Sequence, residues 1–422
     1  MFDEFIGYQD IKDELQQLID VMENTVVYQH LGASIPRALL LWGPPGVGKT
    51  LMAKSLIKAA GRTSFVLRKD EPNDMFIKKI HDTFARAKEE APSIILLDDM
   101  DKFADAGDVF DCDKEAYVSI QSAMEEMIDE DVFVVATANS TYSFPRSLLR
   151  PGRFDRVLEV KPPEGEDAKA IISHFIKGKP FSPDINLDAI VKVMQERSCA
   201  DLEAITKEAA RIAAKERANA ISMDHFVQAT MQVNFNVISF TAHPEMEDFE
   251  QILCHEAGHA VVSEILAPGS VSIVSTLGID GEKGGFCAFY KDPHISDYDW
   301  RVSRAICALG GRAACEQVFN KPGTGSAGDL DSAFQITRHL IVDDCINNDF
   351  LLHDAGNDSS PMLRAKVEES TAVEIGRFYR EAKQIIADNL AFLQALVNAL
   401  HEKPYLTSLD VTKIRARVRL AA

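Results

Sequence analysis

The chain has 422 residues, 46% of them hydrophobic and 26% charged, and carries a formal net charge of −20. That length exceeds one ordinary core and asks for two or three domains, and the mixture is that of a folded globular protein rather than a disordered or fibrous one. The excess of negative charge repels a phosphate backbone and excludes nucleic acid as the main partner.

The amino terminus, Met1-Phe2-Asp3-Glu4-Phe5, lacks the basic-then-apolar order of a signal peptide. No apolar run in the chain approaches the roughly eighteen residues of a membrane span, so the chain as given is expected in the cytoplasm with no membrane partner. The run Ala38-Leu39-Leu40-Leu41-Trp42 then leads into Gly43-Pro44-Pro45-Gly46-Val47-Gly48-Lys49-Thr50, and from Leu51 to Ile57 the spacing turns helical. Strand, glycine loop and helix in that order form a phosphate-binding loop: its N–H groups cradle the phosphates, Lys49 reaches the β and γ oxygens, and Thr50 holds Mg²⁺. A helix follows over residues 74–90, with Met75-Phe76-Ile77 near its start.

Ile94-Ile95-Leu96-Leu97 reads as a buried strand ending in Asp98-Asp99. Carboxylates at a strand's carboxyl end sit where open α/β sheets bind nucleotides, so Asp98 is expected to bind Mg²⁺ through water. A third strand, Val132 to Ala136, ends near Asn139, an amide able to orient the attacking water. Arg150, Arg153 and Arg156 follow on one turn with no local acidic cluster to neutralise them. Cys199 to Ala213 has helical spacing, and a loose stretch from about Val233 to Glu247 marks a linker.

His255-Glu256-Ala257-Gly258-His259 matches H-E-x-x-H within a helical pattern. Histidines four apart share a helix face about one turn, or roughly 6 Å, apart, so both reach one tetrahedral Zn²⁺ while Glu256 faces the metal-bound water. Such an ion needs a third protein ligand. Asp329, in the glycine-rich turn Gly323 to Asp331, is a candidate, held by the helical pattern from Leu330 to Val342. Asp331 is its rival, and Asp is also a favoured helix cap, so local chemistry leaves the choice open. A helical pattern from Ser370 to about Leu400 closes the chain. The seven cysteines, Cys112, Cys199, Cys254, Cys287, Cys307, Cys315 and Cys345, contain no C-x-x-C pair and read as reduced, mostly buried hydrophobes.

Taken together, these segments resemble AAA+ ATPases over the first half of the chain and the peptidase domain of FtsH-type AAA+ zinc proteases over the second. Gly43 to Thr50, with Leu51 behind it, looks like Walker A; Ile94 to Asp99 looks like Walker B; and Asn139 looks like sensor 1. Arg153 and Arg156 resemble the arginine fingers that one subunit inserts into its neighbour's site, which implies a homo-hexameric ring. Gly7 and His174 match positions flanking the adenine, and Ala200 a lid position near the nucleotide. In the second half the resemblance rests on His255 to Val261, Gly310 to Glu316 and Thr324 to Leu330. It implies His255, His259 and Asp329 as zinc ligands, Glu256 as general base, Glu316 as a supporting acid near the metal, and Gly285 to Tyr290 as the strand along which substrate lies.

The implied fold is an α/β AAA+ module of parallel sheet and helical lid, followed by a mainly α-helical zinc peptidase domain. Its boundaries are expected at 1–163 for the nucleotide-binding subdomain, 164–232 for the lid, 233–247 for the linker and 248–422 for the peptidase. The implied cofactors are Zn²⁺, ATP or ADP, and Mg²⁺, and the implied substrates are polypeptides. Three departures stand out. Asp99 replaces the family's glutamate, and the resemblance implies for it that residue's role of activating the attacking water; the aromatic pore loop has only Met75-Phe76-Ile77 as its nearest match, and Met1 abuts the ATPase motif where the family carries transmembrane helices. They motivate a competing reading as a non-degrading AAA+ chaperone, scaffold or ATP-sensing regulator with slowed hydrolysis and a retained zinc site.

Overall fold

The computed structural model of the chain describes all residues except Met1, Asp3, 104–114, Ser143, Pro151, 242–247, 281–283, Pro293, Thr324, Gly325, 354–359 and 419–422. Part of the expected linker, part of the glycine turn before Asp329, and Cys112 thus lie outside the described residues. Contacts divide the chain into one compact unit of residues 1–179 and 196–206 and another of residues 180–195 and 207–422.

The first unit contains α1 (Gln9–Glu23), α2 (Thr25–His30), β1 (Ala38–Trp42), α3 (Lys49–Ala60), β2 (Thr63–Leu67), α4 (Asn73–Glu89), β3 (Ser93–Leu97), α5 (Glu115–Glu126), β4 (Val132–Ala138), β5 (Arg156–Glu159) and α6 (Gly165–Ile176). Its five strands form a parallel sheet in the order β2-β3-β4-β1-β5. Every residue of β3 and β4 is buried, as their unbroken Ile, Leu and Val runs require of inner strands covered on both faces. The edge strands β2 and β5 are mostly exposed or half-buried. Trp42 pairs with Ala138, so β1 and β4 end level, and β3 ends slightly earlier with Leu97 beside Ala136; together they deliver Gly43, Asp98 and Asn139 to one rim of the sheet.

On α4, Phe76, Ile80, Phe84 and Ala87 form a buried stripe with helical spacing. Phe76 is 0% exposed and meets the edge of Phe103 at 4.9 Å. It is core, not a substrate-gripping aromatic; its neighbour Met75 is the exposed side chain of that segment.

The second unit contains α7 (Leu187–Val193), the part of α8 (Cys199–Lys215) beyond Thr206, α9 (Met223–Phe235), α10 (Phe249–Leu266), β6 (Val271–Ser275), β7 (Phe286–Phe289), α11 (Asp297–Ala308), α12 (Gly310–Phe319), α13 (Ala327–Val342), α14 (Pro361–Asp388), α15 (Leu390–Glu402), β8 (Tyr405–Thr407) and α16 (Ser408–Arg417). Most of the lid sequence packs here. The Tyr405 hydroxyl donates to Asp224 at 2.7 Å, and the Gln195 amide exchanges hydrogen bonds of 2.8 and 3.2 Å with the backbone of Lys291. These pairings join residues about a hundred or more positions apart, so this division by contacts does not follow the boundaries expected at 164 and 233.

Helix α10 is buried without a break from Leu253 to Glu264 and runs through the middle of an apolar cluster drawn from α11, α12, α14 and α15. A helix apolar on every side is a central helix, and here it is the one that carries H-E-x-x-H. The pattern from Ser370 to Leu400 belongs to two helices, α14 and α15, divided at the buried Asn389. A small antiparallel sheet, β7-β6-β8, leaves β7 on its edge.

Candidate functional site

The loop after β1 is shaped by glycine. At Gly43, φ is +151° and a β-carbon would stand 2.1 Å from the carbonyl oxygen of Val160, a backbone atom that cannot step aside. At Gly46, φ is +81° and a β-carbon would lie 2.7 Å from Ser198 Oγ. The Ala200 N–H donates to the Gly46 carbonyl at 3.1 Å, so the start of α8 sits on the loop. Pro44 and Pro45 are exposed, Val47 is anchored in the interior, Gly48 takes a left-handed φ of +99° as α3 begins, and Leu51 points outward.

Lys49 is buried, which pulls its pKa down, and its ammonium donates to the carbonyls of Gly43 and Pro44 at 2.7 Å and to Asn139 Oδ1 at 3.0 Å. The Thr50 and Thr137 hydroxyls each donate to Asp98 Oδ1 at 2.9 Å. Phosphate loop, strand-end carboxylate and amide sensor therefore converge, as a site for a triphosphate and its cation requires.

Two partners at this rim carried no signal in the sequence. Asp101 accepts from the Asn139 N–H at 3.0 Å and from Nδ2 at 3.2 Å, which fixes the amide so that Oδ1 faces Lys49. Arg68, directly after β2, donates to Asp98 Oδ2. Asp98 is held below its usual pKa: burial would raise it, and the bonds from Arg68, Thr137 and Thr50 outweigh that. Asp99 adopts left-handed backbone at φ +57°, donates its N–H to Thr137 Oγ1, and turns its carboxylate to Lys102 at 2.7 Å.

The remaining predicted nucleotide residues are more dispersed. Gly7 packs on Asp167, where a β-carbon would come within 2.9 Å of Oδ1, while His174 is exposed with its ring edge-on to Phe175. Arg153 bonds the carboxylate of Glu125 and the carbonyl of Ser147, so it is neutralised within its own chain by an acid from α5 that its local sequence does not contain. Arg156 is exposed on β5. Among the described residues no hydrogen bond joins either arginine, or His174, to the phosphate loop.

The metal-type cluster is tighter. His255, Glu256 and His259 are all more than nine-tenths buried on α10. His255 Nε2 and His259 Nε2 are 3.1 Å apart, and Asp329 Oδ2, from the first turn of α13, lies 2.9 and 3.3 Å from them. Ligands at about 2.0–2.1 Å from a tetrahedral ion stand about 3.3 Å from one another, so these three atoms fit Zn²⁺ with one position left for water. Asp331 is exposed and lies outside the cluster. Glu316 pairs with Arg312 at 3.3 Å and Lys383 at 3.1 Å rather than joining the three.

Several backbone features orient the rings. The Cys307 carbonyl accepts from His259 Nδ1 at 2.7 Å, which fixes the ring so that Nε2 is the nitrogen turned toward Asp329 and His255. Helices α10 and α12 cross at glycine, where a β-carbon on Gly258 would lie 2.6 Å from the Gly310 carbonyl oxygen. Gly285, just before β7, sits against Glu256, since a β-carbon there would fall 2.6 Å from its Cγ. Burial lowers the pKa of both histidines and the Asp329 carboxylate more than reverses this, leaving His255 at about 9 and His259 well above its usual value. Burial raises Glu256 to about 7. The Cys307 carbonyl escapes sequence reading because it is a backbone group, but the glycine pair Gly310-Gly311 was a legible sign of close helix approach.

A parallel-sheet nucleotide module and a His-Glu-His helix closed by an aspartate define an ATPase joined to a zinc-dependent peptidase. Family models agree in the same order: the ATPase family associated with various cellular activities (AAA) matches residues 39–162, the AAA+ lid domain matches 184–228, and peptidase family M41 matches 244–414. The chain is similar to the ATP-dependent zinc metalloprotease FtsH of Caldicellulosiruptor bescii, with 28% identity over 443 residues, covering 98% of this chain and 71% of the relative. It is likewise similar to FtsH 2 of Symbiobacterium thermophilum, with 29% identity covering 98% and 74%, and to FtsH 3 of the same organism, with 30% identity covering 81% and 57%. The chain thus carries the AAA, AAA+ lid and peptidase M41 domains in the order of the FtsH-type AAA+ zinc metalloproteases it resembles, an arrangement whose cofactors are Zn²⁺ and ATP with Mg²⁺. No helix among the described residues is long and apolar enough to cross a membrane.

Proposed function

We propose that this chain is an ATP-driven zinc endopeptidase that unfolds polypeptides and cleaves them as a homo-hexameric ring acting in the cytoplasm. The observation that carries the reading is the composition of the metal-type cluster. It offers three ligands and a buried carboxylate beside them, whereas a purely structural zinc site is closed by four ligands and needs no base. This favours a peptidase over the chaperone or scaffold reading.

In this reading His255, His259 and Asp329 hold Zn²⁺, which when bound acidifies water and polarises the scissile carbonyl. Glu256 accepts a proton from that water and returns it to the leaving amine. Burial pushes this carboxyl above the usual carboxylate range, the direction that makes it a stronger proton acceptor. Substrate adds as a further strand on the free edge of β7, and Gly285 keeps the approach to Glu256 open.

At the nucleotide, the loop from Gly43 to Thr50 and Leu51 holds the phosphates, Asp98 the Mg²⁺, and Asp99 and Asn139 the attacking water, with Gly7, His174 and Ala200 around the base. Arg153 and Arg156 act on the neighbouring subunit's ATP. The test is casein degradation by the zinc-loaded protein with and without ATP. Cleavage that requires both supports the reading, and a protein that hydrolyses ATP, retains zinc and leaves casein and unfolded peptides intact defeats it.

A further inference from the structure

Arg68 has no part in the roles assigned above, yet it sits at the centre of the nucleotide rim. It follows Leu67, which pairs with Leu97, so its backbone stands beside Asp98 on the adjacent strand end. Its Nε lies 2.8 Å from Asp98 Oδ2, and Nη2 bonds the same oxygen. The other oxygen, Oδ1, already receives the hydroxyls of Thr50 and Thr137. An ionised carboxylate offers about four acceptor positions, and four donors fill them.

The pair is asymmetric. Asp98 is 1% exposed and fixed by the two threonines, while the Arg68 side chain is 58% exposed and free to swing into solvent. The other charges nearby are otherwise engaged, Asp99 with Lys102 and Asp101 with Asn139. A divalent cation approaching Asp98, directly or through a water that donates to it, needs one of the positions on Oδ2. It is also repelled by a guanidinium a few ångströms away.

We propose that Arg68 competes with Mg²⁺ for Asp98, so that metal loading of the nucleotide site requires the guanidinium to leave Oδ2 and the Arg68–Asp98 pair sets the Mg²⁺ requirement of the motor. The inference rests on the reading of Asp98 as the Mg²⁺ residue. A neutral side chain after β2 would leave Oδ2 open; a lysine would keep the charge but not the two-point contact.

The test uses the full chain with a fluorescent ADP analogue, titrated with MgCl₂ from EDTA. The readout is the Mg²⁺ concentration at which the nucleotide signal is half-converted, with thermal melting alongside. Arg68→Ala is expected to lower that concentration about three- to tenfold and to leave nucleotide affinity in EDTA unchanged, with Arg68→Lys falling between. An unmoved half-point in Arg68→Ala overturns the proposal. So does a loss of affinity in EDTA, which would make Arg68 a phosphate ligand. Asp98→Asn should raise the half-point; if it does not, Asp98 is not the metal residue and the underlying assignment fails with the proposal.

Discussion

Gly311 lies against the His255 imidazole so closely that a β-carbon at that position would stand 2.6 Å from both Cε1 and Nε2 of the ring. The absence of a side chain on α12 thus fixes where a candidate zinc nitrogen points. Alanine is favoured over glycine inside a helix by about 1 kcal/mol, so Gly311→Ala strengthens α12 locally, and any loss comes from the displaced ring. The variant is expected to bind zinc about 10- to 100-fold more weakly and to lose casein cleavage while keeping its ATP hydrolysis. Metal analysis after gel filtration checks this, and full zinc content with normal cleavage would mean the ring relaxes without cost.

Glu256 faces the cluster without belonging to it, which separates proton transfer from metal binding. Glu256→Gln keeps the shape and removes the acceptor, so zinc content and ATP turnover should stay at the parent level. Peptide cleavage should fall on the order of 10²- to 10⁴-fold. Cleavage retained in a zinc-replete variant would take the base role away from Glu256.

Much of this was written locally. Runs of Leu, Ile and Val announced β1, β3 and β4, and helical spacing announced α3, α4, α10 and α13, because burial on one face or on both leaves a period in the sequence. Phe76 is the instructive case. An aromatic near a helix start matches both a pore loop and a core stripe, and only the packing partner Phe103 separates them. The Arg68–Asp98 pair, the Glu125 partner of Arg153 and the Cys307 carbonyl were not legible for a common reason. Each depends on which strand or helix lies alongside, a tertiary relationship with no local pattern. The same holds for β8, whose register with β6 joins Thr407 to Ile273.

Asp99 bears on the speed of the motor. Its left-handed backbone, φ +57°, is a conformation that Asp and Asn tolerate better than Glu, and its carboxylate is already placed by Lys102. The backbone is therefore fitted to the shorter acid. Asp99→Glu is expected to lower steady-state ATP turnover about 10- to 100-fold, because a carboxylate displaced by about 1 Å no longer aligns the water. A rise in turnover would show instead that the parent is a slowed motor and would favour the regulatory reading.

Arg153 and Arg156 separate the intrachain role from the one between subunits. Arg153 is 19% exposed and ties the Ser147 carbonyl to Glu125, whereas Arg156 is exposed on the edge strand β5. Arg153→Ala should therefore lower the melting temperature by the equivalent of about 1 kcal/mol, and Arg156→Ala should leave it unchanged. If both act on the neighbour's nucleotide, each cuts ATP hydrolysis of the assembled ring on the order of a thousandfold while leaving nucleotide affinity of the isolated subunit intact. Mixing either variant with Lys49→Ala subunits then restores activity wherever an intact phosphate loop meets an intact arginine. Full ATPase activity from dilute monomer, with no dependence on concentration, would confine both arginines to their own chain and remove the main argument for a hexamer.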